Sequence, residues 1–149
     1  MQDIAGIRIV VPRRFDQDLA VSWLEAQFPD ATKYDRLSEP SHGYRAIHLV
    51  VPVRDRFVEL QIRTQLQDAW AQLSEKLNDR YPGIKYGLDP TGAHLATLKQ
   101  ASDLIAQTEA LDERFMEGQT PPGFFDQLEE LRYNITRFLS QAADDEGEA

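Results

Sequence analysis

The chain has 149 residues, 42% of them hydrophobic, no cysteine and a formal net charge of -9. That is enough for one domain with a real core, and no apolar run reaches the roughly 18 residues that a membrane-spanning helix needs. The absence of cysteine excludes a disulfide framework and a thiolate metal site and fits a cytoplasmic protein, and no basic-then-apolar signal peptide opens the chain.

Along the chain, "IAGIRIVV" (4–11) is short, β-branched and closed by Pro12, which predicts a strand. Asp16 is a candidate cap for a helix in which Leu19, Trp23, Leu24 and Phe28 recur at helical spacing as far as Pro29. A short strand over 33–37 and a breaker-rich loop, "SEPSHG" (38–43), come next. "RAIHLVVPV" and "RFVELQIRT" flank a polar break at "RDR", as two strands of a hairpin do. From Thr64, a natural cap, Leu66, Trp70, Leu73 and Leu77 mark an amphipathic helix. After an irregular connection (81–92), Leu95, Leu98, Ile105, Leu111 and Phe115 predict a helix over 93–117. Phe125, Leu128, Leu131, Ile135 and Phe138 predict another over 124–141. The result is an α+β domain: a mixed sheet flanked by helices, followed by a C-terminal helical pair.

The charge is unevenly spread. Residues 1–90 hold 12 Lys and Arg against 13 Asp and Glu, whereas residues 91–149 hold 4 against 12. This separates a near-neutral core (1–90) from an acidic helical pair (91–141) and a tail, "DDEGEA" within 142–149, with the composition of a disordered segment. A chain without a basic face is not expected to bind nucleic acid through its backbone. A small phosphorylated ligand in a local pocket is not excluded.

Some residues fit poorly with a purely structural account. Alternation in "FVELQIR" puts Phe57, Glu59, Gln61 and Arg63 on one face and Val58, Leu60 and Ile62 on the other. A solvated strand face would explain this. So would a site in which Asp3, before the first strand, and Glu59 share a Mg²⁺ ion that receives phosphates, with Arg8 nearby. In "GYRAIH", Gly43 lets the backbone bend and Tyr44 stands at a strand entrance, where its ring can stack on a base; Arg45 and His48 would add charge and hydrogen bonds. An ordinary loop glycine, a boundary tyrosine and a satisfied histidine fit the same letters.

"DIAGIRIVV", "GYRAIHLVV", "VELQIRT" and "QDAWAQLSEKL", in this order and spacing, resemble the RelA/SpoT-type alarmone synthetase domain over about residues 2–88. The resemblance implies a nucleotidyltransferase-like fold and transfer of pyrophosphate from ATP to the 3′-hydroxyl of GDP or GTP, with Mg²⁺ as cofactor. It implies that Asp3 and Glu59 hold the metal, that Glu59 activates the acceptor hydroxyl and that Tyr44 stacks on guanine. His48 and Gln61 fall at polar positions of the acceptor pocket. Lys33 and Arg36 stand where the family supplies basic contacts to phosphates, and Arg8 and Arg63 become phosphate-facing or supporting residues. The family's ATP-holding segment would lie upstream of Asp3, so the chain as it stands is expected to bind its acceptor weakly and to make little product. Pro40, Ser41 and His42 replace a frequent Lys and Asn before "GY", and Ser74 and Glu75 stand where many members have Glu-His. A homo-oligomer through the C-terminal helices is a further expectation. A non-catalytic guanine-nucleotide-binding module, or a relative acting on another nucleotide or on tRNA, stays open beside the synthetase.

Overall fold

The structure, a computed structural model, describes residues 5–118 and a few isolated positions between 122 and 133. Asp3, all but a few isolated positions of the helix expected over 124–141, and the acidic tail lie outside the described residues, as does any assembly built on that helix. Strand β1 (Ala5–Val11) leads into helix α1 (Arg14–Gln27), and β2 (Thr32–Asp35), β3 (Ile47–Val53) and β4 (Arg56–Thr64) follow. Helix α2 (Gln65–Arg80), a 3₁₀ turn (Ile84–Tyr86) and helix α3 (Ala93–Met116) complete the order. The chain divides into two compact units, Met1–Asp68 and Ala69–Ala149, with the division inside α2.

The first unit is built on a mixed four-stranded sheet of order β1-β4-β3-β2, in which β1 runs parallel to β4 and the other neighbours are antiparallel. Its apolar face carries Ile47, Leu49, Val51, Leu60 and Ile62, with Ile9 and Val58 at its margin, and α1 packs Val21 and Leu24 against it. The period of two in β4 sends Glu59, Gln61 and Arg63 to the opposite face.

α1 departs from the expected pattern. Asp16 does not cap it. The helix starts at Arg14 with Arg13 as an unassisted cap, and Asp16 sits in the first turn, where Arg13 Nε donates to it at 3.1 Å. Of the four expected apolar residues only Leu24 is buried, while Leu19, Trp23 and Phe28 are exposed. The inward stripe instead begins with a polar residue, Gln17, which is fully buried.

Gln17 succeeds in the core because both ends of its amide are satisfied. Its Nε2 donates to the Ile62 carbonyl at 2.8 Å and to Gln67 Oε1 at 2.9 Å, and its Oε1 accepts from Gln67 Nε2 and Arg14 Nη1. Gln67 is also half of a reciprocal cap: its amide donates to Thr64 Oγ1 at 3.1 Å, and its Oε1 accepts from the Thr64 amide at 3.2 Å. This capping box starts α2 directly from the end of β4 and ties the helix start to α1.

In the second unit, Trp70 and Leu77 of α2 and Leu98, Ala101 and Ile105 of α3 are buried, and the Trp70 indole N–H donates to the Leu98 carbonyl at 2.7 Å. Asp89 starts α3. Its Oδ2 accepts from the amides of His94 and Leu95, and its Oδ1 from the amide and hydroxyl of Thr91. Among the described residues no helix is long and apolar enough to cross a membrane.

Two predictions test these polar anchors. Gln17→Leu leaves the Ile62 carbonyl and the Gln67 amide without their partner, and should cost roughly 1–3 kcal/mol, read as a lower urea midpoint with an unchanged slope. For Asp89, loss of hydration disfavours the charge, but the hydrogen bonds from Leu95 and Thr91 outweigh it and hold the carboxyl at about 2. A folded value below the ordinary 3.8 means that the folded state binds fewer protons, so the cap acts fully above that value and fades as pH falls through about 2. Asp89→Asn should therefore melt below wild type at neutral pH, and circular dichroism should show the gap closing in that acid window.

Candidate functional site

The sheet face opposite α1 gathers its polar residues around β4. In register, Gln61 faces Arg8 of β1 on one side and His48 of β3 on the other, while Glu59 faces Gly6 and Val50. The chain reaches this face through the Ser41–Tyr44 turn, where the Tyr44 amide donates to the Ser41 carbonyl at 2.9 Å. His42 and Gly43 take φ of 51° and 88°, the pair of positive values that a type I′ turn requires. Glycine accepts that conformation freely, and at the position before it, where asparagine is the usual choice, histidine is among the few other residues that take a positive φ. The turn delivers Tyr44 to the entrance of β3, half-buried.

Five side chains then close into one hydrogen-bonded ring. Arg63 Nη2 donates to the Tyr44 hydroxyl and to Gln61 Oε1, each at 3.0 Å. The Tyr44 hydroxyl meets His48 Nε2 at 2.7 Å, and His48 Nδ1 lies 2.9 Å from Glu59 Oε1. Gln61 Nε2 donates to Glu59 Oε2 at 3.0 Å. One assignment of protons satisfies every link: Tyr44 donates to a neutral histidine, which donates from Nδ1 to the carboxylate. Burial first, then the charges of Arg63 and Arg36, push His48 below its usual value and prevail over Glu59, which pulls the other way. Burial likewise raises the Tyr44 hydroxyl against the pull of Arg63. Both shifts favour the neutral imidazole and the protonated phenol that the ring needs. Two chains of donors thus leave Arg63 and converge on Glu59, one on each oxygen.

Arg63 is itself only 5% exposed. Its Nη1 donates to Asp68 Oδ1 at 3.1 Å, its guanidinium lies 5.2 Å from the centre of the Tyr44 ring, and its Nε is buried without a hydrogen-bond partner. Asp68 also draws Arg8, whose Nε is 3.7 Å from the same oxygen. Nothing in the sequence pattern marked Asp68; the available signal was an acidic residue one helical turn after the Thr64 cap.

The remaining sequence candidates divide. Arg36 stands two residues beyond Tyr34, which pairs with His48, and its amide donates to the Ala46 carbonyl at 3.0 Å. Alternation thus puts it on the His48 side of the sheet, where its charge adds to the lowering of His48. Arg45 donates to the Leu37 carbonyl at 3.1 Å, which fixes the loop before Tyr44. Lys33 does not join the group: paired with Leu49, it lies on the α1 face, where its ammonium meets Glu25 at 3.6 Å. Among the described residues no cluster of three or more His, Asp or Glu side chains is placed to hold a metal. Magnesium needs only one or two carboxylates beside phosphate oxygens and water, and the Glu59 carboxylate, 27% exposed, suits one such position.

The model of the region found in RelA/SpoT proteins matches residues 1–83. Over 94 residues the chain is 36% identical to an uncharacterised protein of Mycobacterium tuberculosis, covering 60% of this chain and 34% of that one. It is also 36% identical to a GTP pyrophosphokinase of Bacillus subtilis, over 56% of this chain and 44% of that one. The chain therefore spans less than half the length of these relatives. Among solved structures, small alarmone synthetase 1 of Bacillus subtilis bound to its product pppGpp aligns with a TM-score of 0.62 at 30% identity, over 80% of this chain and 64% of that one. Small alarmone synthetase 2 of the same organism aligns with a TM-score of 0.56 at 30% identity, over 78% and 65%. With the family match running through β1, the Tyr44 turn, the hairpin and α2, the chain belongs to the RelA/SpoT family.

Proposed function

We propose that this chain carries the chemical centre of a (p)ppGpp synthetase, which moves a pyrophosphoryl group from ATP to the 3′-hydroxyl of GDP or GTP. The observation that carries the reading is the Glu59 carboxylate, partly exposed at the end of two donor chains and tied through His48 to the tyrosine suited to hold a purine. The pppGpp bound to the structural relative supports the same choice of nucleotide.

In this reading Tyr44 offers guanine the ring face turned away from Arg63, and the hydroxyl bonds to Arg63 and His48 stop the ring from rotating. The acceptor's 3′-hydroxyl then meets Glu59, which receives its proton as the oxygen attacks the β-phosphorus of ATP. The bond from that phosphorus to the oxygen bridging the α-phosphate breaks, and AMP leaves with the electron pair. Glu59, with Asp3 as the second carboxylate, would hold Mg²⁺, which withdraws charge from the phosphates when bound. Gln61 and His48 keep the carboxylate aimed, so that the reacting groups meet without a search. Arg8 and Arg36 supply positive charge on the same face for the phosphates of the two nucleotides.

Two experiments test this assignment. In a form of the protein that turns over, Glu59→Gln should reduce alarmone formation from labelled ATP and GDP by roughly a hundredfold or more, while GDP affinity changes only a few-fold. Tyr44→Ala should instead act on binding, weakening GDP by the roughly 1–3 kcal/mol that a base–aromatic stack contributes. A glutamine variant that keeps its turnover excludes Glu59 as the base. The anchor behind the ring gives the other test. Asp68→Asn removes the charge that balances buried Arg63, so stability should fall by roughly 1–3 kcal/mol. GDP affinity should fall with it, and Asp68→Glu should restore part of both. Unchanged affinity in a destabilised Asp68→Asn variant would separate the anchor from the site.

A further inference from the structure

Gly6 stands in β1 directly beside Glu59, and nothing among the described residues accounts for it. Its backbone is ordinary extended strand, paired in regular parallel register with β4 and absent from the positive-φ glycines, so any residue could adopt it. Packing does not demand it either: among the described residues, a Cβ built there meets no atom within 4 Å. Glycine inside a strand costs roughly 0.5–1 kcal/mol relative to alanine, so stability alone favours a side chain. The missing methyl leaves bare backbone on the polar face. Alternation places Glu59 next to it on β4 and Arg8 two residues further along β1.

We propose that Gly6 is a specificity-determining position, kept bare so that the phosphate oxygens of a metal-complexed nucleotide can lie against β1. A glycine in a strand interior is where a ligand can approach the backbone most closely. The neighbours fit that ligand: a carboxylate suited to a divalent cation on one side and a guanidinium on the other. The inference rests on the pyrophosphoryl-transfer reading and narrows it to where phosphates run. Either nucleotide of that reaction can bring them.

The test uses the full chain, Gly6→Ala, Gly6→Val and, as a control that adds bulk to β1 on its other face, Ala5→Val. Each is melted, then titrated with Mg²⁺·GTP and with Mg²⁺·AMPCPP, a non-hydrolysable ATP analogue. Gly6→Ala should melt at or above wild type and bind at least one of the two nucleotides roughly tenfold more weakly, with Gly6→Val weaker still and Ala5→Val unchanged. The arm that weakens identifies which nucleotide's phosphates pass Gly6. Wild-type affinity for both nucleotides in Gly6→Ala overturns the inference alone. A Gly6→Ala variant that melts lower overturns it too, because the glycine is then structural. If the wild-type chain binds neither nucleotide, the pyrophosphoryl-transfer reading falls and takes this inference with it.

Discussion

A buried guanidinium organises the polar half of this sheet. Taking the charge of Arg63 out of water is costly, and the cost is met only because Asp68 lies 3.1 Å away in the first turns of the following helix. Such a pair adds little net stability compared with apolar residues of the same size. What it supplies is direction. Once Nη1 is fixed on Asp68, the planar guanidinium has no freedom left, and Nη2 must point at Tyr44 and Gln61. The position of the tyrosine ring, and through Gln61 and His48 that of the Glu59 carboxylate, follows from one ion pair.

The sheet order makes this possible. β4 lies between β1 and β3, so each residue on its polar face has a neighbour on both sides. The same strand does the packing: Leu60 and Ile62 alternate with the polar residues and bury against α1. A strand with two occupied faces cannot slip by one residue without placing Glu59 and Gln61 in the core. Register is therefore specified by both faces, and the site inherits its precision from the hydrophobic core. The capping box of Thr64 and Gln67 extends the constraint into α2, and the Gln17–Gln67 amide pair fastens it to α1.

Much of this was legible in the letters because period and punctuation are local. Alternation in "FVELQIR", the break at "RDR" and the Thr64 cap each depend on a few adjacent residues, and the hairpin and the start of α2 match them. The errors lie where a partner distant in sequence decides. Leu19 and Trp23 have helical spacing but face outward, because α1 turns toward the sheet the side on which Gln17 finds the Ile62 carbonyl, 45 residues away. A buried glutamine reads as a surface residue until that partner is known. The family resemblance puts Lys33 among the phosphate contacts by its place upstream of "GY", whereas its pairing with Leu49 turns it to the α1 face. Asp68 was hidden for a similar reason: a strand-to-helix junction brings it back to Arg63, and spacing rules for strands or helices alone do not describe a junction.

The two carboxylates on this face show how one side-chain chemistry acquires two roles. Asp68 faces two arginines, and its charge is spent on them. Glu59 receives its hydrogen bonds from a neutral histidine and an amide, neither of which cancels its charge, and it keeps contact with solvent. A full positive charge a few ångströms away would hold Glu59 by Coulomb attraction as well as orient it; neutral donors orient it without that attraction. The lowered His48 is thus part of the design of the carboxylate. Were the imidazole to gain a proton, Glu59 would become the partner of a cation, as Asp68 already is. The same burial that keeps His48 neutral keeps the donor on Glu59 uncharged, and the difference between the two carboxylates follows from which neighbours carry charge.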